Sequence, residues 1–156
     1  MRGNIQGRAL FDPTDIGTGT GTIMDIYYTP LRHKSADEAL LHELVHASRK
    51  VRGVQYHMPV GGGYGNHEEF LAALVANMYR SEKGLKQLFD YQHRPIDAGS
   101  FLDSVSPSPR TLIAIMRSKQ PALFTALARV QAPFNPVKQV DAETNALMRK
   151  IEQSYP

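Results

Sequence analysis

Apolar and polar residues alternate with helical spacing in several segments of the chain, and capping signals bound the first two segments. Ser-x-x-Glu at residues 35–38 is a capping box, so we predict a helix that begins near Ala36 and ends before Gly53. The stretch GNHEEFLAALVANMYRSEKG, residues 65–84, predicts a second helix that its last glycine closes.

Further helices are predicted in the second half of the chain. They cover residues 85–91, 110–118, 121–130 and 141–154, with Asp141 as the cap of the last one. The periodicity of the last helix places Leu147 and Ile151 on its inward face.

One strand is predicted at residues 22–30, TIMDIYYTP, because β-branched and aromatic residues are concentrated there and a proline ends the run. The preceding GTGTGT, residues 17–22, is typical of a loop and lacks the Lys-Ser/Thr end of a phosphate-binding loop. No repeat or linker divides the chain, so we expect residues 1–156 to form a single domain. The predicted fold is α+β, mostly α, with a small β-sheet and a C-terminal helical subdomain.

Composition narrows the class of protein and the chemistry open to it. A chain of 156 residues with 42% hydrophobic and 21% charged residues is typical of one globular domain. The net charge of +3 and the pI near 9.2 are too mild to indicate a nucleic-acid partner. The chain has no cysteine, so any metal must bind His, Asp, Glu or Tyr.

No targeting segment is visible in the sequence. No apolar run reaches the length of about 18 residues that spans a membrane, and MRGNIQGRALFDPTD lacks the apolar stretch of a signal peptide. The sequence therefore indicates a cytoplasmic protein, export by a route without such a signal, or a domain cut from a longer chain.

Residues 42–46 match the pattern His-Glu-x-x-His. Residues i and i+4 share one face of a helix, so His42 and His46 can bind one Zn²⁺ from the same side. Glu43 is rotated by one residue and can stand beside the metal as a general base without binding it. The alternative is two ordinary histidines on an amphipathic helix.

A third protein ligand must come from further along the chain. A histidine six residues after His46 would complete one known pattern, but Arg49 and Arg52 occupy the glycine and histidine positions that it requires. The second predicted helix opens with three candidates in a row, which are His67, Glu68 and Glu69.

Glu69 differs from its two neighbours because it begins a stripe of small residues at positions i, i+3, i+4 and i+7. The small residues are Ala72, Ala73 and Ala76. Small side chains let two helices approach closely, so a glutamate on this stripe can reach a metal on a neighbouring helix. His67 instead continues an apolar stripe. Two interpretations without a metal also apply: the acids complement the helix dipole, or Asn66 and Glu69 form a capping box.

These motifs resemble the zincin metallopeptidases, and among them the gluzincin type, in which a second helix carries a glutamate ligand followed by small residues. HELVH and EFLAA carry the resemblance. It implies a minimal zincin fold, a Zn²⁺ ion held by His42, His46 and Glu69, and peptide hydrolysis with Glu43 as the base. The chain departs from some of these families at Ala73, where they carry an aspartate that orients a histidine.

LLHELVHASRKVRG followed by EEFLAALVANMYRSEKG also resembles the metallopeptidase toxin domains of secreted bacterial effectors. These include type III effector metalloproteases and the C-terminal toxin domains of VgrG and Rhs proteins. The resemblance implies export by a dedicated secretion system from the producer's cytoplasm into a target cell. Its implied partners are a protein or peptide substrate, a carrier of the secretion apparatus and an immunity protein, with no nucleic acid and no membrane span.

Peptide hydrolysis requires a further donor for the oxyanion, and candidates follow the second helix. They are Tyr79, Tyr91, His93 and Arg94, of which we select His93 as a catalytic residue. The predicted strand at residues 22–28 resembles the edge strand on which zincins bind an extended substrate.

Two other functions are compatible with the sequence. A zinc-binding module without hydrolytic activity would keep the two histidines, but it would not need Glu43. A basic helical module that binds nucleic acid would use basic side chains, which are scattered and lack interleaved aromatic residues. These basic residues are Lys50, Arg52, Lys83, Lys86 and Arg110.

Overall fold

Five α-helices make up most of the part of the chain that the computed structural model describes, namely residues 17, 19–27, 36–104 and 106–154. They are α1 (Ala36–Val51), α2 (His67–Glu82), α3 (Pro109–Lys119), α4 (Pro121–Ala128) and α5 (Pro136–Ser154). Two short antiparallel hairpins join β1 (Pro59–Val60) to β2 (Gly65–Asn66), and β3 (Leu88–Phe89) to β4 (Pro95–Ile96). The predicted α+β, mostly α class is confirmed. None of these helices is both long and apolar enough to cross a bilayer.

Helices α1 and α2 end as their glycines predict. Gly53 adopts a φ of 61° after α1, and the Val54 N–H bonds to the Arg49 carbonyl at 3.0 Å. Gly84 adopts a φ of 76° after α2. A residue with a side chain is strained at such angles, so each glycine favours the end of its helix at that point. Ser35 of the predicted capping box lies outside the described residues.

Helices α1 and α2 run antiparallel and make the most extensive contact between any two of the described elements. Glu38, near the start of α1, forms an ion pair with Arg80, near the end of α2. Arg49, near the end of α1, forms an ion pair with Glu68, near the start of α2. These two ion pairs fix how far one helix is shifted along the other.

The main core lies on the face of α2 that turns toward the C-terminal helices. Its most deeply buried large side chains are Phe70, Leu71, Leu74, Phe101, Leu112, Ile113, Met116 and Val137. Helix α2 therefore contributes to this core and also contacts α1. Helices α3, α4 and α5 pack on one another and share this core.

The prediction of a strand at residues 22–30 is wrong for residues 22–27, which are the ones that the structure describes. Residues 21–27 form no strand, and the side chains of Ile23 and Tyr27 are 94% and 84% exposed. Residues 28–30 lie outside the described part. Upstream, the Gly17 N–H donates to the Gln55 carbonyl at 2.9 Å and the Gly19 N–H to the Gly53 carbonyl at 2.9 Å. The segment is thus held at its glycines by the residues that follow α1, and within the described part of the chain no strand pairs with its β-prone residues.

Two predictions for the second half of the chain are also corrected. Residues 85–91 contain β3 instead of a short helix. Helix α5 begins at Pro136 and not at Asp141, because the Asn135 side chain accepts a hydrogen bond from the Lys138 N–H at 3.0 Å.

The C-terminal part of α5 also differs from its predicted orientation. Leu147 and Ile151 are 57% and 43% exposed, not inward-facing. Only the first turns of α5, at Pro136, Val137 and Val140, are buried. The apolar periodicity predicted that this part of α5 would pack on the core. Instead, the helix extends beyond the core.

A candidate metal centre between α1 and α2

Three side chains from two helices bring their polar atoms together on the α1–α2 interface. His42 Nε2 and His46 Nε2 each lie 3.2 Å from the same oxygen, Oε2 of Glu69. The two imidazole nitrogens lie 3.1 Å from each other. The three atoms therefore form a nearly equilateral triangle. We refer to His42, His46 and Glu69 as the His-His-Glu cluster.

Local sequence explains the position of each member. His42 and His46 are one turn apart on α1 and share its α2-facing side. Glu69 is the third residue of α2, where its N–H donates to the side chain of the N-cap Asn66 at 3.0 Å. Its carboxylate faces the histidines, so the predicted capping box forms only through the asparagine. The small side chains of Ala72 and Ala73 are buried behind it.

The spacing of the triangle is compatible with a shared metal ion. Ligand atoms about 2.0–2.1 Å from a tetrahedral zinc lie roughly 3.3 Å apart, close to the observed spacings of 3.1 and 3.2 Å. Imidazole nitrogen and carboxylate oxygen are donors that zinc accepts. If each histidine instead donates its Nε2 proton to Glu69, two N–H groups face each other at 3.1 Å. The cluster can therefore hold a metal ion.

The charges of the cluster favour an ionised carboxylate. Burial by itself would raise the pKa of Glu69, but hydrogen bonds with His42 and His46 lower it to about 2. Burial also opposes protonation of His46, yet the hydrogen bond and charge of Glu69 raise the pKa of His46 above its usual value. A metal must displace that proton, so metal binding weakens as the pH falls through the raised pKa of His46.

Glu43 lies beside the cluster but is not part of it. It is half-buried on α1, and its charge is among those that raise the pKa of His46. The carboxylate is thus within electrostatic reach of the cluster, which is the position expected of a base next to a metal.

The other two candidates for the third ligand have different partners. Glu68 is 1% exposed, and its two oxygens accept hydrogen bonds from Arg49 Nε and from the Tyr56 N–H, the latter at 2.9 Å. His67 is buried in the core, where its Nε2 bonds to the Leu112 carbonyl at 3.0 Å. Burial lowers the pKa of His67, which disfavours its protonated form. Neither side chain points into the cluster.

Arg49 extends the Glu68 pair into a buried network. Its guanidinium also donates to the Val54 carbonyl at 2.6 Å and to Gln120 Oε1 at 2.7 Å. Because Arg49 is one turn beyond His46 and Glu68 precedes Glu69, this network sets the register of the two metal-facing helix surfaces. The sequence pattern around Arg49 assigns this residue no role and only excludes a third histidine pattern.

Replacing Arg49 with methionine is expected to destabilise the protein by about 3–5 kcal/mol, because it leaves the Glu68 carboxylate buried without its cation. The matched control is Arg52→Met, at an exposed arginine just after the same helix, with an expected change within about 0.5 kcal/mol. Urea unfolding of the metal-free proteins measures both free energies. Equal stabilities of the two variants would contradict the role of the network.

Among the oxyanion candidates, the structure places Tyr91 against the cluster. Its ring is stacked with the ring of His42, with 6.3 Å between centroids and 25° between planes. His93 is exposed, with a φ of 59° in the turn between β3 and β4, and its backbone N–H donates to the Asp90 carbonyl at 3.0 Å. Tyr79 bonds to Asp37 at 3.0 Å, and Arg94 Nε bonds to Asp90 at 2.6 Å.

No protein-family model, no curated protein and no solved structure matches this chain. The functional interpretation therefore rests on the His-His-Glu cluster, its surroundings and the sequence motifs that contain it.

Proposed function

We propose that the protein is a zinc-dependent metallopeptidase that hydrolyses peptide bonds. The observation that carries the proposal is the convergence of His42, His46 and Glu69 on one point, with Glu43 adjacent. Catalytic zinc sites have three protein ligands, whereas structural sites have four. A structural site would also not need the Glu43 carboxylate beside it.

Each residue of the site has a separate role in this mechanism. His42, His46 and Glu69 would hold the zinc ion, which supplies Lewis acidity to the scissile carbonyl and to the attacking water. Glu43 takes a proton from that water and later gives it to the leaving amine. Tyr91 flanks His42, and its position favours it over His93 as the residue next to the reacting groups.

The assignment to peptide bonds, and to a toxin exported into a target cell, rests on the resemblance of HELVH and EEFLAALVANMYRSEKG to effector metallopeptidases. A nucleic-acid partner is less favoured, because two of the five basic residues considered for it are paired with acids. Lys83 pairs with Asp37, and Arg110 pairs with Asp103 and Glu143.

Metal removal and replacement tests the proposal. The zinc-loaded protein is expected to cleave an unstructured protein substrate such as casein, to lose this activity with a chelator, and to regain it with one equivalent of zinc. Mass spectrometry of the products identifies the cleaved bonds. Zinc binding without any cleavage, across casein and a peptide library, would instead support the non-catalytic zinc module.

A further inference from the structure

The hairpin formed by β3 and β4 brings the ring of Tyr91 next to His42 of the His-His-Glu cluster. The Tyr91 ring lies 6.3 Å from that of His42 and is nearly parallel to it. The hairpin has only two residues in each strand, and such a short hairpin is not stable by itself in water. Other parts of the protein must therefore hold Tyr91 in place.

Asn77 on α2 binds the outer edge of this hairpin. It is 3% exposed, its Nδ2 donates to the Phe89 carbonyl at 2.6 Å, and its Oδ1 accepts the Phe89 N–H at 2.9 Å. One side-chain amide thus pairs with both backbone groups of a β3 residue, as a neighbouring strand would. Nδ2 also donates to the Ala73 carbonyl at 3.0 Å, which orients the amide on its own helix.

Asp90 holds the other side of Tyr91. Its carboxylate, mostly buried, accepts the Gln92 and Arg94 N–H groups at 2.9 and 2.8 Å, and Arg94 Nε at 2.6 Å. These bonds close the turn that follows Tyr91. The tyrosine therefore stands on a turn whose two ends are both fixed by buried polar side chains.

We propose that Asn77 is a positioning residue for the site, acting through Tyr91. Asn77 lies two turns beyond Glu69 on α2. The same rigid helix thus carries a cluster residue and the anchor of the segment that flanks the cluster. Because reactivity depends steeply on the placement of groups around the reacting atoms, losing this anchor lowers turnover without removing a ligand. The effect on turnover rests on the proposed function; the placement of Tyr91 does not.

The test is a double-mutant cycle between Asn77→Leu and Tyr91→Ala, with Asn145→Leu as the matched control at an exposed asparagine of α5. Asn77→Leu is expected to lower kcat by about 10–100-fold, with little change in KM and unchanged zinc affinity. The double variant is expected to be no slower than Tyr91→Ala alone, because both changes remove the same contribution. The control keeps its activity.

Three results would overturn the inference. The first is a double variant whose loss of kcat is the product of the two single losses. The others are an unchanged kcat in Tyr91→Ala and a lower zinc affinity in Asn77→Leu. If Asn77→Leu does not fold by circular dichroism, Asn77→Ser replaces it, since the shorter side chain also loses the pair of hydrogen bonds to Phe89. The cycle then decides in the same way.

A spectroscopic measurement separates this inference from the proposed function. In the Co²⁺-loaded protein, the NMR signals of the Tyr91 ring report its distance from the metal. These signals are expected to shift in Asn77→Leu and to stay unchanged in Asn145→Leu, even if the protein hydrolyses nothing. Unshifted Tyr91 signals in Asn77→Leu would show that Asn77 has no positioning role.

Discussion

Replacing Glu69 with alanine is expected to lower the affinity for zinc by more than about 100-fold. Even the loss of a residue that only supports a metal ligand lowers metal affinity by about 10–100-fold. Glu69 itself contributes one of the three donor atoms, so a larger loss is expected. Its carboxylate, with a pKa lowered to about 2, also carries the negative charge that the histidines lack. Chelator competition measures the affinity, and metal analysis measures the zinc bound per chain.

Substitutions of two other glutamates of α2 serve as controls for this experiment. Glu82→Ala removes an exposed carboxylate from the far end of the helix, and it is expected to leave zinc affinity unchanged. Glu68→Gln keeps the shape of the buried side chain and should reduce stability, while the zinc content stays near one per chain. Zinc retained in Glu69→Ala but lost in Glu68→Gln would reverse the assignment of the third ligand.

Replacing Glu43 with glutamine is expected to lower kcat for peptide hydrolysis by about 10²–10⁴-fold, the contribution typical of a general base. The amide has nearly the shape of the carboxylate but cannot accept the proton of the attacking water. Because Glu43 lies outside the His-His-Glu cluster, the variant should bind zinc as tightly as the original protein does.

Asp37→Asn is the matched control, since it removes an exposed acid from the first turn of the same helix. It is expected to keep both zinc and activity. Steady-state kinetics on one peptide substrate, with zinc content measured in the same samples, compares the three proteins. Full activity in Glu43→Gln would rule out the proposed mechanism, and loss of zinc would place Glu43 among the ligands.

Local signals in the sequence determine where most helices begin and end. The starts of α1, α3 and α4 lie at or within one residue of their predicted positions, because capping residues and prolines act over a single turn. Two of the wrong predictions share one cause, which is that the outcome depends on a partner. Residues 22–27 have the composition of a strand, but among the described residues no strand pairs with them, and Leu147 has helical periodicity but is 57% exposed.

The functional site shows the same division between local and long-range effects. The spacing of His42 and His46 predicts a shared face, since the helix repeat alone sets it. The sequence could only rank Glu69 above its neighbours. The structure separates them because the antiparallel packing of α1 and α2 pairs Glu68 with Arg49 and turns Glu69 toward the histidines.

Sequence alone thus determines the helix that carries HELVH, the shared face of its histidines and the absence of thiol ligands. The tertiary structure brings the Tyr91 ring to 6.3 Å from that of His42, binds Asn77 to the backbone of Phe89, and pairs Arg49 with Glu68 and Gln120. The physical reason is the sequence distance over which each interaction acts. Helical periodicity and capping act over a few residues, whereas these contacts join residues that are 12 to 71 positions apart and form only when the helices pack.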